Sequence, residues 1–285
     1  MAGQNDEALK SGYRSLITHV EGLHAAAPRV NAAAALARRL DALLIGVGAQ
    51  MVQPAAYTDP TGMVGGEMLI AARQMLADDL KRAQEIFAAA TKDVRNEWIT
   101  IEERPAPALT RLARAADLIV AGGAPIGGDD AYRMASAGEL ILQSGRPVLI
   151  APPAGGDLDA SRILLAWKDT REARRALSDA LPFLKAADEV LVLEACANET
   201  DAGDSGFPLA SVVAHLTRHG VKARAEVTLA SRDDAAEAII NAAGKMGAGL
   251  IVAGGYGHTR LGEWIFGGVT RDLLRNAQGY VLMSH

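Results

Sequence analysis

Apolar positions along the chain follow two rhythms. Short runs rich in Val, Ile and Leu, such as residues 118–121, 148–151, 163–167 and 189–195, are flanked by turn-forming residues. Longer stretches, such as 67–91 and 231–246, repeat apolar residues, many of them alanine, every three or four positions. The first rhythm suits a strand buried on both faces and the second a helix with one buried stripe. Their alternation predicts βαβ units and a parallel sheet covered on both sides.

The pattern occurs twice. LIVAGG stands at 118–123 and again at 250–255, and its surroundings align in order: SLITHVEG (15–22) with RILLAWKD (162–169), and RPVLIAP (146–152) with GYVLMSH (279–285). The segment 152–161, PPAGGDLDAS, has no apolar period and reads as a linker. The chain is therefore expected to hold two domains, 1–153 and 160–285, each a doubly wound unit of five parallel strands and four helices. The first copy's strands are predicted over 13–21, 42–47, 97–102, 118–121 and 148–151. In the second they fall at 163–167, 189–195, 222–229, 249–254 and 280–284. Helices are predicted over 31–40, 67–91, 170–184 and 231–246, with Thr170 and Ser231 as N-caps and Gly247 as a stop.

Composition narrows the function classes. Over 285 residues 49% are apolar and only 4% aromatic, so the core must be aliphatic. A formal charge of -5 and the lack of a dense Lys/Arg block argue against nucleic acid as a partner. No run approaches the roughly 20 apolar residues of a membrane helix, and the polar, acid-bearing start does not read as a leader. Cys196 is the lone cysteine, which excludes an internal disulfide framework. A soluble cytoplasmic protein that does not engage membranes is expected.

The segment GGYGHTRLGEWIFGGVT, 254–270, places six glycines between a predicted strand and the helix after it. Ligands in open parallel sheets sit beyond the carboxyl ends of strands. Glycines there leave backbone amides accessible, and the next helix adds its positive end, so the site suits phosphate. The alternative is that these glycines serve only the turn and close packing. The spacing Gly-x2-Gly-x9-Gly at a fourth strand's exit resembles the nucleotide signature of universal stress proteins, and the chain is similar to a tandem member of that family.

The resemblance implies two flavodoxin-like, or adenine nucleotide alpha hydrolase-like, domains, with ATP as the ligand of the second and the need for Mg2+ left open. It further implies a homodimer or an intrachain pseudo-dimer, and binding without catalysis. Carried over by position, Gly254, Gly257, Gly267, Gly268 and Val269 would hold phosphate and ribose through backbone amides, with Thr270 reaching in from the first turn. Ala166 and Lys168 flank the first strand's exit. Two residues depart from the family pattern: Gly268 stands where Ser or Thr is usual, and Lys168 where an Asp contacts adenosine, with Asp169 one residue late. In the first copy the loop carries Pro125, Asp129 and Asp130, which would repel an anion, so that copy is expected to be a degenerate partner.

Other signals carry less chemistry. His258 and Arg260 could approach an anion from the glycine loop. His19, Glu21 and His24 form a conceivable metal group without a third firm ligand, and His215 with His219 reads as a solvated helix edge. No Gly-x-Ser-x-Gly elbow or Cys/His pair is present, so the enzyme reading, an ATP-cleaving protein of related topology, lacks machinery. A ligand-free interaction protein, pairing with a second copy through its last strand at 280–285, is the remaining alternative.

Overall fold

The computed structural model describes residues 12–53, 66–123, 131–231, 233–256 and 268–285. The first half runs β1 (Ser15–His19), α1 (Ala27–Leu40), β2 (Leu43–Ala49), α2 (Gly66–Ala90), β3 (Asn96–Ile101), α3 (Pro105–Leu112), β4 (Leu118–Gly122), α4 (Ala137–Gln143) and β5 (Val148–Ala151). The second runs β6 (Arg162–Trp167), α5 (Arg171–Ala186), β7 (Glu189–Cys196), α6 (Glu199–Asp204), α7 (Gly206–Arg218), β8 (Ala223–Leu229), α8 (Ala235–Met246), β9 (Leu250–Gly254), α9 (Gly268–Asn276) and β10 (Tyr280–Ser284).

Each half is a five-stranded parallel sheet, as the two rhythms predict, and its first strand lies at the centre. The order along the whole molecule is β3-β2-β1-β4-β5-β10-β9-β6-β7-β8. The two copies of LIVAG form β4 and β9, each lying between the first and last strands of its half. Both are buried on both faces, which is why the runs are continuously apolar.

The last strand overturns one expectation. β10 is no free edge, because it pairs in parallel with β9 and in antiparallel with β5, with Leu282 across from Leu149. Both of its hydrogen-bonding sides are taken, so it cannot recruit a second copy. The halves meet as an intrachain pseudo-dimer and share one core. Tyr13, ahead of β1, donates its hydroxyl to the Asp179 carbonyl on α5 and packs on Phe183 at 5.3 Å between ring centres.

Local signals explain the ends of the elements. Thr170 caps α5, its hydroxyl accepting from the Ala173 amide at 3.3 Å. Gly247 ends α8 with φ 65°, a left-handed conformation that glycine takes without a Cβ clash. Ser231 accepts from the Asp234 amide at 3.3 Å, but the helix begins only at Ala235, so the predicted start at 231 comes too early. The prediction also put α1 four residues late: the structure starts it at Ala27, with Pro28 in its first turn, where proline lacks only an amide that has no helical partner anyway.

Candidate functional site

At the carboxyl end of the second half, β6 and β9 lie side by side, with Ala166 across from Ala253. Ala166 is thus a wall of the strand exit, half-buried. The chain turns sharply after Trp167, the Thr170 amide donating to the Lys168 carbonyl at 2.6 Å. Lys168 and Asp169 are exposed at this turn, and Asp169 is ion-paired with Arg174 rather than aimed at the cleft. Trp167 is buried, in line with its core reading.

Gly254 has a packing reason to be glycine. A Cβ there would lie 2.6 Å from the Ala173 nitrogen and 2.7 Å from the Glu172 carbonyl carbon, so the first turn of α5 fits only against a bare backbone. The next two amides are engaged within the chain: Gly255 donates to the Ser284 carbonyl at 2.8 Å, and Tyr256 donates to the Thr270 hydroxyl at 3.2 Å. Tyr256 has φ 60°, unusual for a residue with a Cβ, and is held there by this bond and by burial. Thr270 therefore ties the strand exit to the first turn of α9. His285 closes the other side, its Nδ1–H donating to the Gly255 carbonyl at 3.0 Å.

Gly268 differs. It is exposed at the first position of α9, and a Cβ there would meet nothing within 4 Å among the described residues. Val269 is half-buried beside it. The opening amides of a helix have no intrahelical partner, and the macrodipole makes this end electropositive. Gly257, His258, Arg260 and Gly267 lie outside the described residues, as do Trp264 and Phe266.

Sequence reasoning passed over Glu194. It lies on β7, in register with Trp167, and is half-buried beside the exit of β6. Burial pushes its carboxyl up, while a bond from Ser205 and the Lys168 charge pull it back. The signal was present: a single acid interrupts VLVLEAC at the strand's carboxyl end.

The corresponding end of the first half is filled by side chains. His19 is buried, its Nε2–H donating to the Ala49 carbonyl at 2.8 Å and its Nδ1 3.6 Å from Glu21. Arg29 pairs with Glu21 and also donates to the His19 carbonyl at 3.1 Å. Burial acts to raise the Glu21 carboxyl, but Arg29 and His19 prevail and hold it below its ordinary value. Burial drives His19 down to about 4, so it is neutral at pH 7. Behind them Asp79 of α2 accepts from Gln50 at 3.1 Å and from Arg133 at 2.7 Å and pairs with Arg82. With its Nε2 engaged and Glu21 held by Arg29, His19 is part of a buried network rather than a metal pair. Among the described residues no group of three His, Cys, Asp or Glu could hold a metal ion. His215 and His219 are exposed and stack edge to face at 4.8 Å. Among the described residues no helix is long and apolar enough to cross a membrane.

Comparisons with known proteins agree with this architecture. Residues 160–285 match the sequence model of the Universal stress protein family. No curated protein sequence is a significant match to the chain. Among solved structures, a universal stress protein from Archaeoglobus fulgidus DSM 4304 superposes over 95% of each chain with TM-score 0.69 at 13% identity. A protein of Pseudomonas aeruginosa PAO1 described as functionally unknown covers 98% of this chain and 94% of its own, with TM-score 0.58 at 14% identity. At these identities the likeness is one of fold.

Proposed function

We propose, from the match of residues 160–285 to the Universal stress protein family model, that this half binds an adenine nucleotide at the exits of β6 and β9 without turning it over. The observation that carries the reading is the open first turn of α9. Gly268 exposes backbone at a helix N-terminus, and among the described residues no protein atom fills the space where a side chain would go, which suits an anionic phosphate.

The amides of Gly255 and Tyr256 are committed within the chain, so phosphate is held by Gly268 and Val269, with Gly257, His258 and Gly267 of the glycine-rich sequence as the further candidates. Lys168 adds a positive charge on the opposite wall. Glu194 supplies the acceptor for adenosine that Lys168 cannot. Binding would join the β6 turn to α9, stabilise that geometry, and alter a partner surface by mass action. Hydrolysis would require ligands for a metal and a positioned water.

The test is ATP titration of the purified chain, followed by melting temperature and by calorimetry. A rise in melting temperature with one nucleotide per chain supports the reading. No shift at millimolar ATP, or phosphate release above background, overturns it in whole or in its non-catalytic part. Gly268→Asp, which fits the open space but places a carboxylate at the helix end, is expected to abolish the shift while leaving the unliganded melt unchanged.

A further inference from the structure

With β10 consumed inside the chain, the sheet's outer strands are β3 and β8, and they are unlike. Flanking β8, Lys222 and Ala230 direct backbone groups to β7, Lys222 accepting from Val190 and Ala230 donating to Cys196, both at 2.9 Å. By alternation, Ala225, Val227 and Leu229 point their amides and carbonyls to the open edge. Val227 is 37% exposed and Leu229 56% exposed, both large apolar residues on the face that holds Val190 and Val192 in the core. The other face of the strand carries Arg224 and Glu226, ion-paired with each other, and Arg224 also meets Glu189 at 2.9 Å.

We propose that β8 is a homodimerisation edge, pairing antiparallel with β8 of a second copy around a two-fold axis at Ala225. The charges select this register. Outward-pointing residues must face one another, which leaves few alignments. Placing Ala225 opposite Ala225 sets Arg224 across from the partner's Glu226 and Glu226 across from the partner's Arg224. Directly opposed side chains in an antiparallel pair sit about 4.5–5.5 Å apart, where opposite charges attract and like charges repel. The same alignment sets Val227 against the partner's Ala223 and Leu229 against the partner's Val221, covering apolar surface the monomer leaves wet. Shifting one copy by two residues would oppose Glu226 to itself.

β3 lacks this complementarity. Its only charged residue is Glu97, and its large side chain Trp98 is turned onto Phe87 at 5.3 Å with its Nε1–H donating to Thr100 at 2.8 Å. No exposed large hydrophobic lies on it. The two ends of the sheet thus predict a closed dimer through β8 rather than an open fibre of alternating edges.

The test uses the full chain in light scattering and sedimentation equilibrium over a wide concentration range. Wild type is expected as a dimer. Arg224→Glu and Glu226→Arg are each expected to shift it to monomer by setting like charges opposite, and mixing the two variants in equal amounts is expected to restore a heterodimer. Circular dichroism and melting of each variant check that the fold persists. Val227→Pro, which removes only an outward-facing amide, is expected to give a folded monomer. A wild-type monomer at hundreds of micromolar, a dimer insensitive to all three changes, or variants that stay apart on mixing would each overturn the proposal.

Discussion

The same five-residue strand, LIVAG, ends beside the same element in both halves of the molecule, yet its surroundings differ. In the first half Gly122 faces the end of Arg29, whose Nη1 would be 3.0 Å from an added Cβ. In the second half Gly254 faces backbone of the first turn of α5. Arg29 and Ala173 each occupy the third position of the helix after the half's first strand. One copy has filled its strand exits with an internal ion-pair network, and the other has drawn its helix against the strand and, among the described residues, left space at the start of α9. Duplication preserved the frame, and side-chain identity at a few exits decided whether space for a ligand remained.

The largest expected effect probes the filled side. Glu21→Ala leaves the Arg29 guanidinium, only 12% exposed, without its carboxylate. Breaking such a buried pair costs about 3 kcal/mol, read as a lower denaturant midpoint with little change in slope. The equivalent second-half change, Lys168→Ala, is expected to leave the midpoint unchanged because Lys168 is exposed.

On the open side, ATP at a hundred times its dissociation constant is expected to stabilise the chain by about 2.7 kcal/mol. Calorimetry should count one site per chain, since Arg29, Glu21 and Asp79 occupy the first-half exits. Two sites would break the comparison.

Acid should act through the first half. His19 has its pKa lowered to about 4 from an ordinary 6.5. Between those values the unfolded chain takes up a proton that the folded chain refuses, so stability is intact above pH 6.5 and falls as pH drops toward 4. The loss from this group is on the order of 3 kcal/mol. Glu21, lowered instead from the carboxylate side, adds a further loss below its own ordinary value. Thermal melts from pH 7 to 4.5 should show a shallower decline in His19→Gln than in the wild type.

The finest contrast is between the two repeat glycines. Gly254→Ala must displace helix backbone and is expected to cost about 2 kcal/mol, an overpacking effect. Gly122→Ala displaces only the end of a flexible side chain and should cost less than about 1 kcal/mol. Equal costs would show that the two exits are packed alike.

Much of this architecture was legible beforehand. The doubled LIVAG run, the Thr170 cap and the Gly247 stop are local patterns that appear in the structure where the sequence reading put them, whereas the starts of α1 and α8 lie four residues from the predicted ones and the second half carries five helices where four are expected. The site was legible only in part. That Gly254 answers to helix backbone while Gly268 opens to space cannot be read from two glycines in a row of letters, because the difference lies in what packs opposite. Glu194 escaped notice because its relation to Lys168 runs between neighbouring strands 26 positions apart in the chain.

Sequence by itself determined the periodicities, and with them two parallel sheets of five strands, since buried strands and amphipathic helices are specified by which residues must leave water. Tertiary structure alone decided that β5 and β10 join antiparallel into one ten-stranded sheet. It also decided that Arg29 plugs one exit and that, among the described residues, β8 remains an open edge. Those outcomes depend on which surfaces meet across long sequence separations, where hydrogen-bonding edges and charges select partners that no local pattern encodes.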